Sequence, residues 1–98
     1  DIMIDCGEGT YLKWIDAGYT WNSLKYIFIT HMHPDHTGGL VNFLFYRKLL
    51  GITSPLKIWG PPFLEEYLLN SFQLQSIRIN YEIEIFSIHP KPSVIITE

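Results

Sequence analysis

Apolar positions along the 98-residue chain fall into short alternating or continuous runs, divided by glycine, proline and small polar residues. Ile2, Met3 and Ile4 read as a strand entering the turn Asp5-Cys6-Gly7-Glu8-Gly9. Thr10 is placed to cap a short helix that reaches Ala17 and is stopped by Gly18. The run Tyr26-Ile27-Phe28-Ile29-Thr30 has no alternation, which predicts a strand covered on both faces. Over residues 37–50 the period becomes helical: Leu40, Phe43, Leu44 and Leu50 share one face, Arg47 and Lys48 suit the negative C-terminal end, and Gly51 can close it.

Residues 56–59 predict the next strand. Pro61 and Pro62 can open a further helix, with Glu65 and Glu66 in its early turns and Leu64, Tyr67, Leu68 and Phe72 at helical spacing. A strand is expected over residues 81–88, and residues 94–97 can begin another. This alternation of strand and helix predicts an α/β architecture with helices packed on a sheet. No repeat, low-complexity tract or linker divides the chain, so residues 1–98 belong to one domain.

Composition narrows the classes. A hydrophobic content of 47%, with 15% aromatic residues, is enough for a core and argues against disorder. The net charge is −3, and Lys13, Lys25, Arg47, Lys48, Lys57, Arg78 and Lys91 are scattered, so no basic footprint for nucleic acid is visible. Cys6 is the single cysteine, which excludes an intrachain disulfide and a thiolate-rich zinc site and suits a reducing, cytoplasmic setting. It reads as a small buried residue, since no separate histidine is placed to activate it. No apolar stretch approaches the roughly 20 residues of a membrane span. Trp14, Trp21 and Trp59 read as packing groups, Tyr46 and Tyr67 as core or boundary residues, and Glu8 as a charged turn residue.

The chemistry concentrates behind the second strand. His31, His33, Asp35 and His36 stand within six positions, and neutral imidazole and carboxylate are ligands for zinc, manganese or iron. Adjacent side chains of so short a loop diverge, which implies two metal positions. His31 and His33 project together if the loop continues the strand, and Pro34 bends it so that Asp35 and His36 reach a second ion. Two ions about 3.5–4 Å apart can clamp the attacking and leaving oxygens of a displacement, which is a hydrolase's equipment. Thr37-Gly38-Gly39-Leu40 lets the following helix start close to the loop, with free N–H groups that would favour an anion.

These residues carry a resemblance. Thr30-His31-Met32-His33-Pro34-Asp35-His36 resembles the Thr-His-x-His-x-Asp-His signature of the metallo-β-lactamase superfamily. Together with "MIDCGEGT" before it and "LKIWGPP" after it, it is similar to the ribonuclease Z branch, whose members process tRNA 3′ ends. The resemblance implies half of an αββα sandwich. It also implies His31 and His33 on one ion, Asp35 and His36 on the other, Asp35 as proton acceptor for the attacking water, and Asp5 orienting a histidine ligand. Pro34 stands where that branch usually has glycine, and Tyr11 where glutamine is common.

The superfamily's site needs a further histidine, a bridging aspartate and a last histidine. No aspartate follows Asp35, and only His89 follows His36. His89, beside prolines, reads as a turn residue rather than a ligand. The chain is therefore expected to be the N-terminal part of one domain whose missing C-terminal half is its partner. The intact protein is expected to be a di-metal phosphodiesterase acting on precursor tRNA, with a downstream histidine protonating the leaving group. Two alternatives stand beside it: a hydrolase of a small ester, thioester or cyclic phosphodiester, and an inactive fragment that serves as a folding or association module and forms homo-oligomers.

Overall fold

Four short strands are joined by three helix-bearing connections, and such crossovers join strands that run the same way. In the computed structural model, which describes residues 1–87, the elements are β1 (Ile2–Ile4), α1 (Thr10–Asp16), a 3-10 turn (Trp21–Ser23), β2 (Tyr26–Phe28), α2 (Pro34–Thr37), α3 (Leu40–Leu49), β3 (Leu56–Gly60), α4 (Leu64–Leu74) and β4 (Ile83–Ser87). All pairings are parallel, in the order β1-β2-β3-β4. The α/β class and the alternation expected from the sequence are present. His89 and the strand expected over 94–97 lie outside the described residues.

Register explains the core. Met3, Ile27, Ile58 and Ile85 form one row across the sheet. With Leu24, Ile29 and Leu56 they join Trp14 of α1, Leu40, Val41, Phe43 and Leu44 of α3, and Leu64 and Leu68 of α4 in one cluster. Phe43, fully buried, meets Trp14 edge-on at 5.9 Å and Trp21 at 4.8 Å, which pins α1 and the 3-10 turn to α3.

The adjacent row, Ile4-Phe28-Trp59-Phe86, faces the other way. Phe28, Trp59 and Phe86 stack at 4.9 and 4.8 Å, yet Ile2 and Ile4 are 61% and 69% exposed and Tyr26 is exposed as well. The expectation that β2 is covered on both faces is therefore corrected: among the described residues, helices cover one face, and the aromatic row of the other is sheltered by its own stacking.

Three boundaries also differ. Gly9, at φ 78°, caps α1, and the Thr10 hydroxyl instead donates to the Gly7 carbonyl at 2.6 Å. The helix expected over 37–50 is split: Thr37 ends α2, and the Gly39 N–H leaves the helical ladder to meet the Cys6 carbonyl at 3.0 Å, so α3 starts at Leu40. Tyr81 precedes β4 rather than opening it; its buried hydroxyl donates to the Leu44 carbonyl at 2.6 Å.

Arg47, read as suiting the negative C-terminal end of α3, is fully buried. Its guanidinium donates to the Ser54 carbonyl and hydroxyl at 2.9 and 2.8 Å and lies 4.4 Å from the centre of the Tyr81 ring. Burial pulls the Arg47 pKa down, and burial pushes the Tyr81 phenol up to about 12. These contacts tie α3 to the stretches that lead into β3 and β4.

Candidate metal centre

The site lies where the carboxyl ends of β1 and β2 give way to loops, the usual place for sites in parallel sheets. Asp5 leaves β1 at φ 60°, a left-handed conformation that aspartate tolerates better than most residues. Its N–H still pairs with the Phe28 carbonyl at 2.7 Å, so the turn is tied to the end of β2. One residue on, the Cys6 N–H donates to the His36 carbonyl at 2.7 Å. Gly7 allows this closeness, because a Cβ there would stand 2.5 Å from the Asp35 carbonyl oxygen; a Cβ on Gly39 would collide with the Gly7 carbonyl.

With the loop held in this way, His31, Asp35 and His36 converge, one ligand atom of each lying within 4.8 Å of the others. The His31 and His36 rings are 3.8 Å apart, and His36 Nε2 is 3.2 Å from Asp35 Oδ2. His33 is exposed and meets the His31 ring edge-on at 4.8 Å, outside that three-residue cluster. Two imidazoles and a carboxylate at these separations fit the donor set of a divalent transition metal. His31 and His36 are the nearest rings, rather than His31 and His33.

Asp5 stands behind the cluster. Its Oδ2 accepts from His36 Nδ1 at 2.7 Å, and Oδ1 accepts from the Thr30 N–H at 2.8 Å. Desolvation pushes its pKa up, but the bonds from the Thr30 N–H, His36 and the Thr30 hydroxyl outweigh it and hold the carboxyl below its ordinary value. The Asp5 bond raises the His36 pKa against partial desolvation, with the charges of Asp35 and Asp5 adding to it. Thr30, read in the sequence as the end of a strand and the first residue of the Thr-His-x-His-x-Asp-His resemblance, touches both Asp5 and His31.

Other candidates resolve simply. Cys6 is fully buried, and burial lifts its thiol to about 12, so it is a packing residue. Glu8 is exposed in its turn. Trp14 is in the core, Trp21 packs on Phe43, and Trp59 belongs to the sheet stack. Tyr46 stacks on Tyr11 at 4.1 Å, and Tyr67 is half-buried. Ahead of α3, the Gly38 N–H donates to the Pro34 carbonyl and the Gly39 N–H to the Cys6 carbonyl, so these two amides are engaged within the fold.

The chain is similar to known proteins in sequence and in fold. Residues 1–85 match the family described as anti-Pycsar protein Apyc1. The chain is 32% identical over 88 residues to ribonuclease Z of Thermosynechococcus vestitus, covering 90% of this chain and 22% of that protein. Against ribonuclease Z of Listeria innocua serovar 6a it is 39% identical over 88 residues, covering 90% and 29%. The crystal structure of human tRNase Z, short form, superposes with a TM-score of 0.79 at 28% identity, over 86% of this chain and 32% of that one. The chain thus spans less than a third of the length of each of these relatives. By the family match over residues 1–85 and the structural superposition, the chain belongs to the anti-Pycsar protein Apyc1 family and to the ribonuclease Z-like branch of the metallo-β-lactamase superfamily.

Proposed function

We propose that residues 1–98 form the N-terminal part of one metallo-β-lactamase-like domain whose intact protein is a metal-dependent phosphodiesterase, with precursor tRNA as the leading substrate. The convergence of His31, Asp35 and His36 in front of Asp5 carries this reading, because four side chains from two strand ends meet where a divalent ion fits. The names of the ribonuclease Z relatives and of the tRNase Z structure support tRNA as substrate.

His31, His33, Asp35 and His36 would hold two divalent ions, zinc first, with manganese and iron as alternatives. Bound there, the ions supply Lewis-acid stabilisation and lower the pKa of water. The chain's own contribution is to place the ligands and a base. Asp5 holds the His36 ring by Nδ1, leaving Nε2 for the metal. Asp35, whose side chain is 76% exposed, accepts the proton of the attacking water. Pro34 at the start of α2 fixes the bend that sets Asp35 and His36 side by side. A reduced Cys6 is compatible with a cytoplasmic home. Among the described residues, no helix is long and apolar enough to cross a membrane.

The second reading is a hydrolase of a small or cyclic phosphodiester. It is favoured by the family match, whose description names no ribonuclease, by Pro34 in place of glycine, and by the scatter of the seven basic residues. Assaying the intact protein on precursor tRNA and on bis(p-nitrophenyl) phosphate separates the two. Cleavage at the tRNA 3′ end supports the nuclease; turnover of the small diester alone supports the second reading. Both activities are expected to vanish on chelation and return with zinc or manganese. Activity that survives exhaustive chelation would sink the metal-dependent reading.

A further inference from the structure

A carboxylate can only accept hydrogen bonds, and that constraint orders the protons around Asp5. The Thr30 hydroxyl lies 3.0 Å from both carboxylate oxygens, and the Thr30 N–H donates to Oδ1. The single hydroxyl proton is directed to the carboxylate, the charged acceptor within reach. The same hydroxyl oxygen is 3.0 Å from His31 Nδ1. With its proton committed to Asp5, it can only accept there, so neutral His31 carries its proton on Nδ1. On the far side of the carboxylate, Oδ2 is 2.7 Å from His36 Nδ1, which must likewise donate. Both rings are thereby left with Nε2 as the bare nitrogen.

We propose that Thr30 is a positioning residue that passes the hold of Asp5 on to His31, so that one carboxylate fixes the metal-competent tautomer of two histidines, one directly and one through a hydroxyl. The purpose of the relay rests on the metal reading given above, but the tautomers themselves are measurable without metal. Asp5 reaches His31 only through Thr30 in this arrangement, which makes the relay separable from the direct Asp5–His36 bond.

The test uses the intact protein labelled with 15N-histidine, freed of metal and held at alkaline pH so that both rings are neutral, followed by zinc titration against a competing chelator. Wild type and Thr30→Ser are expected to show Nδ1–H on both His31 and His36 and to bind zinc alike. Thr30→Val keeps the shape without the hydroxyl: His36 is expected to stay Nδ1–H, reporting an intact fold, while His31 loses its fixed tautomer and zinc affinity falls about 10–100-fold. Asp5→Asn is expected to disturb both rings, which keeps the proposal testable should the valine variant fail to fold. The relay is overturned by a His31 tautomer that is unchanged in Thr30→Val or in Asp5→Asn, or by a Thr30→Ser variant as impaired as Thr30→Val. A wild type that shows both tautomers and takes up no zinc would overturn the metal reading while upholding the relay.

Discussion

Asp5 and His36 shift each other's titration in opposite senses, and this fixes a pH dependence for the metal-free protein. Asp5 is held below its ordinary value of 3.8, so its contribution to stability is present above that value and is lost as pH falls through the depressed one. His36 is raised above 6.5, so its contribution is complete below 6.5 and is lost as pH rises through the raised value. The pair therefore stabilises most between pH 3.8 and 6.5. The difference in Tm between metal-free wild type and Asp5→Asn is expected to peak in that window and shrink on either side; a difference independent of pH would contradict the pairing. Zinc must displace the His36 proton, so affinity is expected to climb with pH through the raised value. The cluster of His31, Asp35 and His36 was legible in the sequence, since the three stand within six positions, whereas His33 stays outside it. The bond from Thr30 to Asp5 was not legible, because the two are 25 residues apart and are brought near only by the pairing of β1 with β2.

The elements hold the site through backbone approach as much as through apolar packing. Gly39 rests on the Gly7 carbonyl, and Gly7 rests on the Asp35 carbonyl. A methyl at Gly39 has to push backbone against backbone, so Gly39→Ala is expected to cost about 1–3 kcal/mol in denaturant unfolding and to weaken zinc binding. Phe43→Ala removes the fully buried ring between Trp14 and Trp21 and is expected to cost about 3–5 kcal/mol, with metal binding preserved under conditions where the variant remains folded. Strand positions and helix faces were readable from period because burial follows it. Helix starts were not: α3 begins at Leu40 rather than Thr37 because Gly39 bonds to Cys6 across the fold. The burial of Arg47 was not readable for the same reason, since Ser54 and Tyr81 enclose it from other parts of the fold.

At the scale of the molecule, one sheet face is packed and the other is uncovered among the described residues. Ile2, Ile4 and Tyr26 flank the Phe28-Trp59-Phe86 stack on the open face, an apolar surface of a kind that drives association. The isolated 98-residue chain is expected to self-associate in light scattering, and Ile4→Lys with Trp59→Ser to reduce it; a strictly monomeric wild-type chain would contradict this. The pattern of the chain gave no sign of which face is open, since Tyr26 to Thr30 is apolar throughout. The central claim, that the loop after β2 binds metal, is tested most directly by the metal content of the intact protein purified without chelator. Two divalent ions per chain in wild type, falling to one or none in His36→Ala, is the predicted result. Metal-free wild type that still cleaves phosphodiesters, or a His36→Ala variant with unchanged metal content, would contradict it.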